Sequence, residues 1–179
     1  MAYSELDAVA VSMGPGSYTG LRIGVSAAKG FCYALDIPMI SVPTLQSMAA
    51  GASGLPGIQP GSLLCPMIDA RRMEVYTAVF NQNLQEVMET QAMIVTENSF
   101  LEYLADYPIC FIGDGAAKTR DILEKLPNVF YPAGFEVSAK FMCGLSWKKF
   151  LEKDFEDVAY FEPYYLKDFI AGKPRVRGL

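Results

Sequence analysis

A strand, a glycine-rich turn and a helix faced with small residues follow one another from Ala8 to Leu35, and that succession leaves the chain few ways to fold. Ala8-Val-Ala-Val-Ser12 is a short apolar run of the kind shown by a strand covered on both faces. Gly14-Pro15-Gly16 stops it, because glycine tolerates positive φ and proline cannot continue a ladder. Ser17 or Thr19 can cap the next helix, predicted over about 19–35, by accepting bonds from its free N–H groups. Leu21, Val25, Ala28, Cys32 and Leu35 share one face at helical spacing. Pro38 then marks a stop, a second strand is predicted over 38–42, and a second helix opens near Thr44, its expected cap, and runs to Ala50. Strand, helix and strand of this length make a right-handed crossover, so the two strands should be parallel.

Gly51 to Gly61 (GASGLPGIQPG) is a shift to glycine, proline and serine, and divides the chain into a first lobe at 1–52, a linker at 53–61 and a second lobe at 62–179. Leu63–Ile68 and Met73–Phe80 read as strands around the hairpin Asp69-Ala-Arg-Arg72. Asn81-Gln-Asn83 is a second turn, and a third strand falls within 84–95. A helix is predicted over 96–105, capped by Thr96 or Asn98, then a buried strand over 109–112 that ends in Gly113-Asp114-Gly115. A helix over 116–126 should point Lys118, Arg120 and Lys125 outward; a short strand at 129–131 and an amphipathic helix over 138–153 complete the series. The first lobe has only two strands, too few to cover both faces of a parallel pair, and is expected to be incomplete.

Composition excludes several classes of function. The chain holds no histidine among its 179 residues, which removes Ser-His-Asp and Cys-His catalysis, HExxH sites and every histidine-based metal site; no metal is expected. Cys32, Cys65, Cys110 and Cys143 are dispersed among apolar neighbours without a CxxC pair, and read as buried, reduced thiols of a cytoplasmic protein. A formal net charge of −5 argues against this chain gripping RNA by itself. Lys167, Lys173, Arg175 and Arg177 read as a solvated basic tail. Neither a signal peptide nor an apolar run of the roughly 20 residues a bilayer needs is evident, so no membrane partner is expected.

Three places could carry chemistry or binding. Gly14-Pro-Gly-Ser-Tyr-Thr-Gly20 lies where a phosphate-binding turn would, between a strand and a helix N-terminus. It fits neither standard fingerprint: Leu21-Arg22 follow Gly20 where Lys-Ser/Thr would be needed, and the third glycine comes one residue late. Pro15 also removes an amide, so a structural turn is favoured. In the helix, Gly20, Gly24 and Ala28 repeat at four-residue spacing, as do Ser26, Gly30 and Ala34. Interior glycines cost up to about 1 kcal/mol each relative to alanine and call for a close approach, either to the helix's own sheet or to a partner. Asp69, Arg71, Arg72 and Glu74 could be a carboxylate pair tuned by arginines, but read better as a charged turn, and Gly113-Asp114-Gly115 reads as a turn or a vestigial nucleotide site.

Val11-Ser-Met-Gly-Pro-Gly-Ser-Tyr-Thr-Gly-Leu-Arg-Ile-Gly24, Ala28-Lys-Gly30 and Val42-Pro-Thr-Leu45 resemble the TsaB (YeaZ) family. Ile68-Asp-Ala-Arg-Arg-Met-Glu-Val-Tyr76 resembles that family's hairpin and Glu162-Pro-Tyr-Tyr-Leu166 its C-terminal signature, so the match runs in order over nearly the whole chain. The resemblance implies an α/β fold of the actin/Hsp70/sugar-kinase type, with two RNase-H-like lobes, and a part in making threonylcarbamoyladenosine on tRNA. It implies a non-catalytic scaffold that pairs with a TsaD-type subunit through a helical bundle, with a TsaE-type ATPase joining, a homodimer as a further association and tRNA contacted only indirectly. Gly20, Leu21, Gly24, Val25, Ala28, Lys29 and Cys32 would then lie on the partner-binding helix, and Gly14, Pro15, Gly16, Ser17, Thr19 and Arg22 in its glycine-rich turn. No cofactor of its own is implied, ATP or ADP belonging to the assembled complex. The alternative from the same fold class is an ATP-binding phosphotransferase or ATPase, and an older glycoprotease label conflicts with the absence of histidine. Family members begin with a strand, a hairpin and a helix of which nothing precedes Ala2, so the first lobe is expected to lack that half.

Overall fold

The computed structural model describes residues 2–167; Lys173, Arg175 and Arg177 of the expected basic tail lie outside them. β1 (Val9–Gly14) and β2 (Met39–Pro43) form a parallel pair, Val9 opposite Met39 and Ser12 opposite Val42, as the crossover requires. α1 (Tyr18–Leu35) connects them. It starts where Ser17 Oγ accepts the Gly20 N–H at 3.3 Å, which decides the cap in favour of Ser17 over Thr19. It ends at Asp36, whose left-handed φ of 53° reverses the chain. Leu21, Val25, Ala28 and Cys32 are its buried face, and the last three make the core of the first sheet with Val11 and Met39.

α2 (Thr44–Ala52) begins at Thr44 itself; Pro43 precedes it without a side-chain cap, because the Thr44 hydroxyl is taken by Ser12 Oγ at 2.5 Å. The second sheet has the order β5-β4-β3-β6-β7. Its members are β3 (Leu63–Asp69), β4 (Glu74–Phe80), β5 (Glu86–Ile94), β6 (Ile109–Ile112) and β7 (Val129–Phe130). β3, β4 and β5 are the antiparallel meander expected; β6 joins β3 in parallel, and β7 joins β6. One face of this sheet carries Phe100, Leu104, Ala116 and Leu123 from α3 (Leu101–Leu104), the residue before it and α4 (Asp114–Leu123). The other face is covered by Leu45, Met48, Ala49 and Ala52 of α2, against Leu64, Phe80 and Ile112. α2 thus belongs to the second core as much as to the first lobe. Burying a leucine or isoleucine there contributes about 1.5–3 kcal/mol, so the two lobes are joined by more than their linker.

Several boundaries differ from expectation. The helix predicted over 96–105 shrinks to α3, because Ser99 Oγ accepts the Thr96 N–H at 2.8 Å and spends those residues on a turn. The helix predicted over 116–126 starts two residues earlier and stops at Leu123. The amphipathic segment over 138–153 splits into a 3-10 turn, Ala139–Met142, opened by Ser138, and α5 (Cys143–Glu152), which lies against β2. Cys143 is exposed there, unlike the other three cysteines, which are buried.

Candidate docking helix and interlobe cleft

The turn after β1 is built around one close contact. Gly14 has φ of +114°, and a Cβ at that position would lie 2.5 Å from the Tyr164 carbonyl oxygen. The Tyr164 N–H donates to the Met13 carbonyl at 2.7 Å, so the C-terminal segment lies directly on this turn. Beyond it a cleft of about 570 Å³ opens between the sheets. Pro15, Gly16, Ser17, Gly20, Leu21 and Gly24 line its first-lobe side, with Ile68 and Asp114 from the second lobe. It stands at the carboxyl ends of β1 and β3, the usual ligand position in open α/β sheets. The two glycine turns picked out in the sequence therefore do meet, across one cleft.

Three of the amides around them, those of Gly20, Asp69 and Gly115, are engaged within the chain. Ser17 Oγ holds the Gly20 N–H. The Asp114 carboxylate accepts from the Asp69 and Gly115 amides at 3.0 and 2.9 Å, so an acidic group occupies the start of α4, where a phosphate would need bare N–H groups. Gly113 (φ +94°) and Gly115 are explained by packing: a Cβ would come within 2.3 Å of the Met67 carbonyl oxygen or 2.9 Å of the Met67 carbonyl carbon. Among the described residues no group of three or more Cys, Asp or Glu side chains could hold a metal ion. Thr19 and Arg22 are exposed, and the Arg22 guanidinium lies 5.0 Å from the centre of the Tyr18 ring.

The charged hairpin is a structural brace. Lys118 turns inward, against the expectation that it faces solvent, and donates to Asp69 Oδ1 at 2.5 Å and to the Glu74 carbonyl at 2.7 Å. That bond, with the Arg71 N–H, holds the Asp69 carboxyl below its ordinary range. Arg71 and Arg72 both adopt left-handed φ, 69° and 51°, to close the turn.

Of the residues assigned to partner docking, Leu21, Val25, Ala28 and Cys32 are the buried face of the helix, Leu21 at the edge of the cleft. Gly24 and Lys29 are half-buried, and Lys29 Nζ bonds the Ala159 carbonyl at 3.1 Å. The exposed face of α1 is a different stripe: Ile23, Ala27, Gly30 and Ala34, flanked by Ser26 and Phe31. Ile23 is 66% exposed and Phe31 43%, large for apolar side chains, and Tyr3 lies 5.7 Å from Phe31 ring to ring. The same helical spacing that marks the buried face marks this one, half a turn away. Among the described residues no close contact requires the helix glycines. A Cβ on Gly30 would meet nothing within 4 Å, one on Gly24 only Val11 at 3.9 Å, and one on Gly20 only Ser17, at 3.4 Å or more.

Comparison with known proteins places this geometry. The profile of the family described as "TsaD: tRNA N6-adenosine threonylcarbamoyltransferase" matches residues 1–171. The Bacillus subtilis "tRNA threonylcarbamoyladenosine biosynthesis protein TsaB" is 35% identical over 175 aligned positions, which cover 93% of this chain and 72% of that protein. The Escherichia coli protein of the same description is 30% identical over 181 positions, covering 95% and 74%. A Pseudomonas aeruginosa crystal structure, described as an uncharacterized protein similar to peptidase YeaZ, superposes with a TM-score of 0.75 at 24% identity, over 93% of this chain and 76% of that one; it speaks to the fold alone.

Proposed function

This chain belongs to the TsaD-type family, with TsaB proteins as its relatives, and from that premise we propose that it is a non-catalytic cytoplasmic subunit in the making of threonylcarbamoyladenosine on tRNA, docking a TsaD-type partner through the outward face of α1. The observation that carries this reading is the set of helix glycines that no close internal contact requires: a Cβ would meet nothing within 4 Å at Gly30 and only ordinary contacts at Gly20 and Gly24. Gly20, Gly24 and Gly30 each cost up to about 1 kcal/mol relative to alanine in a helix. A backbone from another molecule brought close to that face offsets the cost, and Ile23 and Phe31 beside it supply apolar area to bury.

The assignment of catalysis to the partner rests on the chain's own side chains. It has no histidine, its cleft offers an acid at the start of α4 where a phosphate would need amides, and the Gly20 amide of the first turn is spent on capping. The test is a reconstituted transfer assay with a TsaD-type protein, tRNA, ATP and the remaining subunits, run with and without this chain. Transfer should depend on the chain, while the chain alone neither transfers nor hydrolyses ATP. ATP turnover by the purified chain, or transfer indifferent to its presence, contradicts the reading.

A further inference from the structure

After α5 the segment 153–167 forms no helix or strand, yet it is tied down almost throughout. The Glu156 N–H donates to the Met39 carbonyl at 2.9 Å and its carboxylate accepts from the Ser41 hydroxyl. Val158 and Phe161 pack into the core under α1. Lys29 holds the Ala159 carbonyl at 3.1 Å, Tyr164 bonds Met13 at 2.7 Å, and the Tyr165 ring lies 4.9 Å from Tyr18. All of these contacts are to the first lobe. At its end Lys167 Nζ reaches the other lobe and pairs with the Glu74 carboxylate at the start of β4.

The geometry points to a strap: residues 155–167 are laced to the first lobe and latched to the second by Lys167 and Glu74, and the latch sets how wide the cleft stands. The two attachments differ greatly in strength. The lacing combines several hydrogen bonds with half-buried side chains such as Val158 and Phe161, whereas the latch is one ion pair whose side chains are 43% and 22% exposed. A pair of that kind shifts an equilibrium by a factor of about two to five, enough to bias an opening without locking it. The catch is rigid, because the Glu74 carbonyl is held by Lys118 and by the Ala70 N–H. Movement of the strap reaches the cleft directly, since Tyr164 bonds the residue before Gly14 and its carbonyl is the atom Gly14 approaches.

Hydrogen–deuterium exchange on the full chain tests this, using Lys167→Glu, Glu74→Lys and the double charge swap. Each single change should make the amides of 13–20 and of Tyr164 exchange about two- to fivefold faster, with the swap returning them toward wild type and β3 and α4 unaffected. High salt should move wild type toward the single variants. Singles that exchange like wild type at those amides, or a swap that recovers nothing, overturn the proposal. Should the swap lower global stability, Lys167→Met substitutes for it: unchanged exchange at 13–20 in that variant is equally contrary.

Discussion

Two glycines only sixteen positions apart answer to opposite physics. Gly14 is required from inside: its φ is +114° and the Tyr164 carbonyl fills the place of a side chain. Gly14→Ala should destabilise the chain by about 1–3 kcal/mol. Gly30 sits in ordinary helix with open space beside it. Gly30→Ala should therefore stabilise the isolated chain by about 0.5–1 kcal/mol. Urea denaturation of both variants reads both signs, and a destabilised Gly30→Ala would show that an internal contact does require the glycine. The thiols give a pH signature. Burial pushes Cys65 and Cys110 from the ordinary 9.0 up to about 12, so the folded state holds those protons more tightly than the unfolded state. Their contribution is whole below pH 9 and is lost as pH climbs from 9 toward 12. Tyr131, whose buried hydroxyl has no hydrogen-bond partner among the described residues and is raised to about 12, adds to the loss above its ordinary 10.0. Denaturation midpoints should stay level from pH 7 to 8 and fall by pH 10, less steeply in a Cys65→Val, Cys110→Val variant. At neutral pH a thiol reagent should modify exposed Cys143 first.

At the scale of elements, α1 shows what a sequence conveys and what it withholds. Period and small residues marked it plainly, and Leu21, Val25, Ala28 and Cys32 do form one face. That face is the inward one, however, and periodicity alone cannot say which of two apolar stripes meets the sheet. The complementary stripe of Ile23, Ala27, Gly30 and Ala34 shares Gly30 and Ala34 with the second small-residue repeat in the sequence, while Ile23 and Ala27 join it only once the exposed face is known. Elements set by long-range contacts were harder. Lys118 looked solvent-facing on helical geometry, and only the fold of the hairpin against α4 brings Asp69 and the Glu74 carbonyl to it. The helix at 96–105 failed for a local reason, a Thr96–Ser99 turn that competes with helical bonding. The choice of cap for α1 yields its own check. Ser17→Ala should cost about 0.5–1 kcal/mol and Thr19→Ala less than about 0.5 kcal/mol in thermal melts, and the reverse order would move the helix start.

For the whole molecule, the β3-β4-β5 meander and the parallel first pair follow from turn chemistry and the crossover rule and were legible, whereas the places of β6 beside β3 and β7 beside β6 were not. Nor was the cooperation of the lobes. α2 packs into the second sheet's core, and the segment after α5 returns to bind the first lobe over a hundred residues back, contacts that no local pattern announces. These ties hold α1 in place and, among the described residues, leave Ile23, Ala27, Gly30 and Ala34 exposed, as the proposed docking requires. Titration calorimetry with a purified TsaD-type protein tests that role most directly, comparing wild type, Gly30→Ala and Gly30→Leu. Wild type should bind, Gly30→Ala should bind more weakly despite its greater stability, and Gly30→Leu should lose at least about tenfold in affinity, on the order of 1.4 kcal/mol. Equal affinity for wild type and Gly30→Leu would contradict the claim that this face of α1 is where the partner sits.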